Sequence, residues 1–517
     1  MDGTPFVTQC PIPPHNTFEY VFEASPAGTH IWHSHIGFEE ADGLHGSLIV
    51  RKSEDPLGRY YDFDLAEHVM IIWHWYDAST AFRLATALHT NSAVSGYGLL
   101  IDGLASIARI SSNNTFYTTP RKIFHVESGK RYRFRTIFNS AVYCPVQISI
   151  DDHTLIVIAS ESGTFDPIGV ESFIINGGER YDFVLSANKE PGNYWIRYRG
   201  LGDCEGNVRV SEVAVLRYKD SKDEEPSGTT SYDDANRSGV LLNPVQSGTN
   251  DYPNNTVVKI VELNDTTPNR MNITGTPDHT FYFKFSFNAY DSYYAPGPYP
   301  QMNDISFEYP AFPLLTESSE LTSDMYCTES NDTSKECVDG FCSCPVIYRA
   351  AKDSLVEVVF VDTSMNRDQD HPMHLHGYDF RVVSMETVGL DISLEAIKNR
   401  NEANTIQKKL IAAPVKDNIG VPARGFTIVR FVATNPGYWF FHCHIANHVE
   451  MGMGVVLKVG EDDEMIRPPS NFPRCGRHGL ATSVCPPRSA STIARSGAQL
   501  YFLAPLSSLL LFSGRYH

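Results

Sequence analysis

The chain has no apolar run long enough to cross a bilayer as a helix. The C-terminal stretch Leu500 to Phe512 has 13 residues, against about 20 for a spanning helix. It is also short of positive charge, with 42 Lys and Arg against 61 Asp and Glu and a net charge of −19. An acidic surface of that size repels phosphate backbones, which excludes nucleic acid as a partner and leaves small cations or neutral organic molecules. Long helical patterns are missing too. Short apolar stretches among 36 Gly and 31 Pro read as turn-rich β structure. The opening MDGTPFVTQC has neither the charged start nor the apolar run of a signal peptide.

What is present is ordinary globular material, 42% hydrophobic and 20% charged over 517 residues. That suffices for several cores and, at roughly 150 residues per domain, suggests about three domains. Ten cysteines accompany sequons at Asn113, Asn236, Asn254, Asn264, Asn272 and Asn331. Together with the cysteines gathered between Cys327 and Cys344, they favour an oxidising, glycosylating compartment, so the chain reads as an extracellular or cell-surface glycoprotein with disulfides. Four cysteines in that cluster allow three pairings among themselves. Cys475 and Cys485 either pair with each other or tie the tail back to a domain.

Composition divides the chain into blocks. A β-like block occupies residues 1–63, a second 64–218, a polar linker 219–256, a third block 257–460, and a Pro-, Arg- and Ser-rich tail 461–517. Small residues Ser489, Ala490 and Ser491 precede the last apolar stretch, the layout of a glycolipid-anchor signal and hence of membrane attachment, but the polar ending SGRYH is atypical of one.

One unit recurs three times. Pro26-AGTHIWHSHI aligns with Asn435-PGYWFFHCHI, and Pro191-GNYWIRYRG keeps the turn and aromatics without histidine. It reads as a turn leading into a strand. In a strand, residues i and i+2 share a face while i+1 points the other way. His442 and His444 can therefore ligate metal on one face while Cys443 serves a second metal on the other. His33 and His35, the cluster His371, His374 and His376, and His448 with Met453 complete the set. Cysteine, two imidazoles and a weak thioether form the blue-copper ligand set, and imidazoles alone suit copper and O₂ chemistry. Zinc accepts the same donors, but a tetrahedral zinc has no use for a Met or for two separate His-x-His strands.

The motif HCHIANHVEMGM (442–453), with MDGTPFVTQCPIPP (1–14) and GGERYDFVL (177–185), resembles the multicopper oxidases over nearly the whole chain, in particular their arthropod-type laccase-like branch. The resemblance implies an all-β fold of three cupredoxin-like Greek-key β-sandwiches, the first incomplete, and a copper-dependent oxidase. Such an enzyme takes single electrons from diphenols or aromatic amines and reduces O₂ to water. It places a type 1 copper on His371, Cys443, His448 and axial Met453. The type 3 pair falls on His33, His35, His376, His442 and His444, and type 2 on His374, with Cys443 carrying electrons to His442 and His444. The family's first His-x-His, just upstream of the segment that here begins MDGTPF, is absent. Six trinuclear ligands stand where eight are needed, which implies a truncated chain and an incomplete type 2 and type 3 set. Taken literally, that set gives a non-catalytic blue-copper protein. The odd count of nine cysteines besides Cys443 agrees with a partner lost upstream.

Glu171, in VESFIINGGERYDF, matches the position where that family places a substrate-binding carboxylate. Such a group can take the proton that a phenol releases on one-electron oxidation, or bind Fe²⁺. Phenol oxidase, ferroxidase and ascorbate-type oxidase thus remain as alternatives. A second carboxylate above His371, or an apolar slot there, separates them.

Overall fold

The computed structural model describes residues 2–475, apart from 77, 91–97, 107, 111–114, 118, 206–208, 246–251, 268–270, 291–296, 328–336, 339 and 365–368. The tail with Cys485 and the proposed anchor signal lies outside the described residues, as do Asn113 and Asn331. No described helix is long and apolar enough to cross a membrane.

Strands dominate. A six-stranded sheet (strands 163–170, 155–160, 180–186, 131–139, 69–75 and 98–101) and a seven-stranded sheet built around 172–175, 146–150 and 193–200 form the middle of the chain. Phe183 of the first lies 5.8 Å from Phe173 of the second, ring centre to ring centre, inside a shared core. A second pair of sheets repeats the plan. Strands 279–288, 355–362, 425–432 and 380–387 form one sheet, and 347–350, 454–459, 437–443, 371–375 and 418–421 the other. Phe360 and Phe441 meet across this pair at 5.1 Å. Each such ring removed from water contributes about 1.5–3 kcal/mol, and central strands such as Leu355–Asp362 and Gly437–Cys443, buried on both faces, carry apolar runs that do not alternate strictly.

The first 63 residues contribute a two-stranded sheet, Gly28–His33 against His45–Val50. All three copies of the repeated unit are strands entered from a turn: Gly28–His33, Asn193–Gly200 and Gly437–Cys443. The stretch 219–256 is more than a linker. Strand 239–242 pairs in parallel with Ser172–Ile175, and 255–258 adds outside it. Its polar composition hides these strands because strand 239–242 buries only two side chains, Leu241 and Leu242, on opposite faces, and 255–258 buries none fully.

Disulfides join Cys10–Cys475, Cys144–Cys204, Cys327–Cys344 and Cys337–Cys342. The cysteine-rich insert pairs within itself, and Cys475 ties the chain end to the first block rather than to Cys485. Cys10 therefore has its partner within this chain. Between the middle and last sandwiches lies a buried charge network, in which Lys416 Nζ stands 3.1 Å from Glu161 and 3.2 Å from Glu179.

Candidate metal centres

Antiparallel pairing of 371–375 with 437–443 sets Met373 opposite Cys443 and His374 opposite His442. This register puts the chemistry of the two strands on matching faces. On one side, Cys443 Sγ lies 3.9 Å from His371 Nδ1 and 3.5 Å from His448 Nδ1. A short helix, Ala446–Glu450, returns His448 to the strand it has just left. Met453 is fully buried beside this group, its N–H bonded to the His448 carbonyl and its own carbonyl accepting the Cys443 N–H. Cys443 is the free cysteine among the described residues. Burial pushes its thiol pKa up, against a hydrogen bond from the Ile445 N–H. A thiol so placed becomes a thiolate only when a cation takes the place of its proton. One thiol, two imidazoles and a buried thioether fit copper.

On the other side six imidazoles gather. Ring centres lie 4.8 Å apart for His374 and His376, 5.2 Å for His376 and His442, and 5.0 Å for His442 and His35. His33 and His444 follow at 5.3 Å, and His444 lies 5.6 Å from His374. The hydrogen bonds fix which nitrogen faces inward. His442 Nδ1 lies 2.9 Å from the Cys443 carbonyl, His374 Nδ1 2.8 Å from the Asp417 carbonyl, and His33 Nδ1 2.9 Å from the Ser34 carbonyl. A carbonyl only accepts, so each Nδ1 carries a proton, and a ring with that one proton presents a bare Nε2. For His33, although burial opposes it, the Glu40 carboxylate 3.1 Å from Nδ1 pushes the ring's pKa up. His376 Nδ1 likewise donates to the Asp2 carboxylate at 2.6 Å. The result is that His376 Nε2 and His442 Nε2 face each other at 3.1 Å, and His35 Nε2 and His442 Nε2 at 3.3 Å. Two inward lone pairs at that distance repel unless a cation lies between them. The donor set fits copper on this side as well.

Burial, reinforced by the neighbouring imidazoles, holds His442 and His35 well below the usual histidine range. A small pocket lined by His35, Glu40, His442, His444 and Glu450 lies against the rings. Although burial opposes it, His33 and His444 hold the Glu40 carboxyl down at about 2, while burial and the Glu40 charge push Glu450 up to about 7. Neither glutamate carries a sequence signal, nor does Asp2. Asp2 lies in a motif the sequence shares with the oxidases, but what it touches is decided by folding.

Glu171 is placed differently from the copper candidates. Its carboxylate accepts the Val240 N–H at 2.7 Å and lies 3.5 Å from Thr154 Oγ1. Among its described contacts none reaches His371 or His448. The stretch expected as a linker supplies Val240 and so engages this carboxylate. What packs on the His371 and His448 rings is aromatic, a feature the sequence did not single out. Phe287, half-buried, lies 5.6 Å from one and 5.4 Å from the other, and Phe285 5.3 Å from His371.

A buried thiolate site one residue away from a ring of imidazoles, on paired β-sandwiches, defines a copper-dependent electron-transfer oxidase. Sequence models of the multicopper oxidase family match residues 1–55, 67–221 and 316–463. The chain is 30% identical over 467 residues to a laccase of Pycnoporus cinnabarinus, covering 88% of this chain and 75% of that protein. It is 29% identical over 482 residues to laccase-2 of Agaricus bisporus, covering 91% and 78%. Laccase from Botrytis aclada shares the fold with a TM-score of 0.69 at 24% identity, covering 90% of this chain and 76% of that one. Fet3p, a multicopper oxidase that functions in iron import, does so with 0.64 at 20%, covering 89% and 77%. The chain belongs to the multicopper oxidase family. It is a laccase-like oxidoreductase whose cofactor is copper of types 1, 2 and 3 and whose electron acceptor is O₂.

Proposed function

We propose that this oxidase takes electrons from small aromatic reductants, diphenols and aromatic amines, at a type 1 copper held by His371, Cys443, His448 and Met453. His33, His35, His376, His442 and His444 hold the type 3 pair, and His374 a type 2 copper. When bound, these coppers supply one-electron redox chemistry at the first site and four-electron reduction of O₂ at the second. The observation that carries the reading is Cys443 Sγ, 3.5 Å from His448 and 3.9 Å from His371, with both its sequence neighbours in the imidazole ring.

The chain's own residues then have separable tasks. Cys443 is joined by one peptide bond on each side to His442 and His444, which gives electrons a covalent route between the two groups. Phe287, half-buried 5.4 Å from His448, gives this side of the site an aromatic character of the kind a substrate ring pairs with. That character favours an aromatic reductant over Fe²⁺, which needs hard oxygen ligands. Glu171 stays in this reading only as the carboxylate that the family resemblance assigns to taking a phenol proton. Burial and the Glu40 charge push the Glu450 carboxyl up to about 7, so it can hold or release a proton near neutral pH in the pocket beside the imidazoles. Asn236, Asn254, Asn264 and Asn272 are exposed, and with four disulfides they support an extracellular or cell-surface site of action.

The test is oxygen uptake by the purified, copper-loaded protein with hydroquinone, Fe²⁺ and ascorbate in turn. Uptake driven fastest by hydroquinone, with water as product, is the expected result. Faster uptake with Fe²⁺ would overturn the substrate reading. Blue colour without uptake from any reductant would assign the chain to non-catalytic electron exchange.

A further inference from the structure

Arg180 is 3% exposed and distributes its guanidinium over three parts of the chain. Its Nε donates to the Thr29 carbonyl at 3.0 Å, in the strand that ends at His33. Its Nη1 donates to the Gly178 carbonyl at 2.7 Å and to Asp417 Oδ1 at 2.9 Å. Each acceptor belongs to a segment that holds an imidazole. The Asp417 carbonyl receives His374 Nδ1. The turn Gly177–Gly178 lies against His444, close enough that a Cβ on Gly178 would stand 2.5 Å from His444 Cγ. Thr29 lies near the start of the strand Gly28–His33, which carries His33 inward with His35 two residues beyond it, and its N–H is fixed by the Glu161 carbonyl at 3.0 Å.

We propose that Arg180 is a positioning residue for the six-histidine group, setting His374, His444 and the strand that ends at His33 relative to one another through a single planar cation. The inference rests on the assignment of those histidines to copper given above. Three acceptors in three directions need the fork of a guanidinium. A lysine ammonium on a flexible stem can keep the Asp417 ion pair but cannot hold the Thr29 and Gly178 carbonyls in the same geometry. The thiol site makes no contact with this fork, so the two copper groups respond differently to its loss.

The experiment uses the full copper-loaded chain as wild type, Arg180→Met and Arg180→Lys, with Glu357→Gln as a control. Glu357 holds Arg430 and Lys408 in a buried cluster elsewhere in the last sandwich. Two quantities are read: blue copper per chain by absorption, and the copper bound in excess of it, with its release rate to a chelator. Loss of an outer-shell partner weakens metal binding by about 10–100-fold. Arg180→Met is expected to keep the blue copper and to release the excess copper about 10–100-fold faster, with Arg180→Lys intermediate. Glu357→Gln lowers thermal stability without separating the two pools. Parallel loss of both pools in Arg180→Met, or retention of both, overturns the proposal. If Arg180→Met does not fold, Arg180→Lys and Asp417→Asn carry the same comparison. A wild type with blue copper and no excess copper overturns the site assignment itself and this inference with it.

Discussion

The Cys10–Cys475 disulfide closes a loop of 465 residues, so its removal is the perturbation with the largest entropic leverage. Loop-closure entropy for that length amounts to about 6 kcal/mol at 25 °C, against about 2 kcal/mol for the 5-residue separation of Cys337–Cys342. Measured disulfides rarely deliver the full figure, and about 4 kcal/mol is a realistic share. Residues 1–476 form one compact unit, whose unfolding entropy at about 2.1 cal/mol/K per residue is on the order of 1 kcal/mol/K. The expected drop in Tm for the Cys10→Ser, Cys475→Ser double variant is therefore about 4 °C. For Cys337→Ser, Cys342→Ser it is about 1–2 °C. Scanning calorimetry of copper-loaded protein at one scan rate measures both. Equal shifts in the two variants, or a shift below about 1 °C for the long loop, would refute the entropic argument. The same bond tethers the segment whose Asp2 holds His376 and whose Phe18 packs on Phe472.

Three further outcomes are expected. Gly178→Ala, at φ +77° and against the His444 ring, should lower copper in excess of the blue site while leaving the blue absorption, read by metal analysis and absorbance together. His74 is kept neutral by burial, its pKa lowered to about 3. The unfolded chain takes up that proton at about 6.5, so the stability His74 supplies is complete above about pH 6.5 and lost as pH falls, at about 1.4 kcal/mol per unit. Between pH 6.5 and 5 that is about 2 kcal/mol. His74→Phe should flatten the fall in urea midpoint over this range, and an unchanged slope would count against it. Phe287→Ala should cut kcat/KM for hydroquinone by about 5–10-fold, the value of an aromatic ring contact of about 1–1.5 kcal/mol, and leave Fe²⁺ oxidation unaltered in the same oxygen-uptake assay.

Elements whose signal is local could be read from the chain alone. Period-2 alternation forces His442 and His444 onto one face and Cys443 onto the other in any strand, and the threefold repeat of turn and strand requires nothing beyond neighbouring residues. The copper reading followed from donor types at fixed spacing, and the family from HCHIANHVEMGM. What only the tertiary structure decided are relations between segments far apart in the chain. His376 meets Asp2 across 374 residues, Arg180 joins Thr29 and Asp417, and Cys475 pairs with Cys10 instead of Cys485. Polar composition made 219–256 look like a linker because the strands it supplies are short and bury only Leu241 and Leu242 fully. Glu171 carries no local sign that Val240 will cap it. A side chain's type and spacing are written in its neighbourhood, whereas its partner is set by where the sheets pack, and that depends on the whole chain at once.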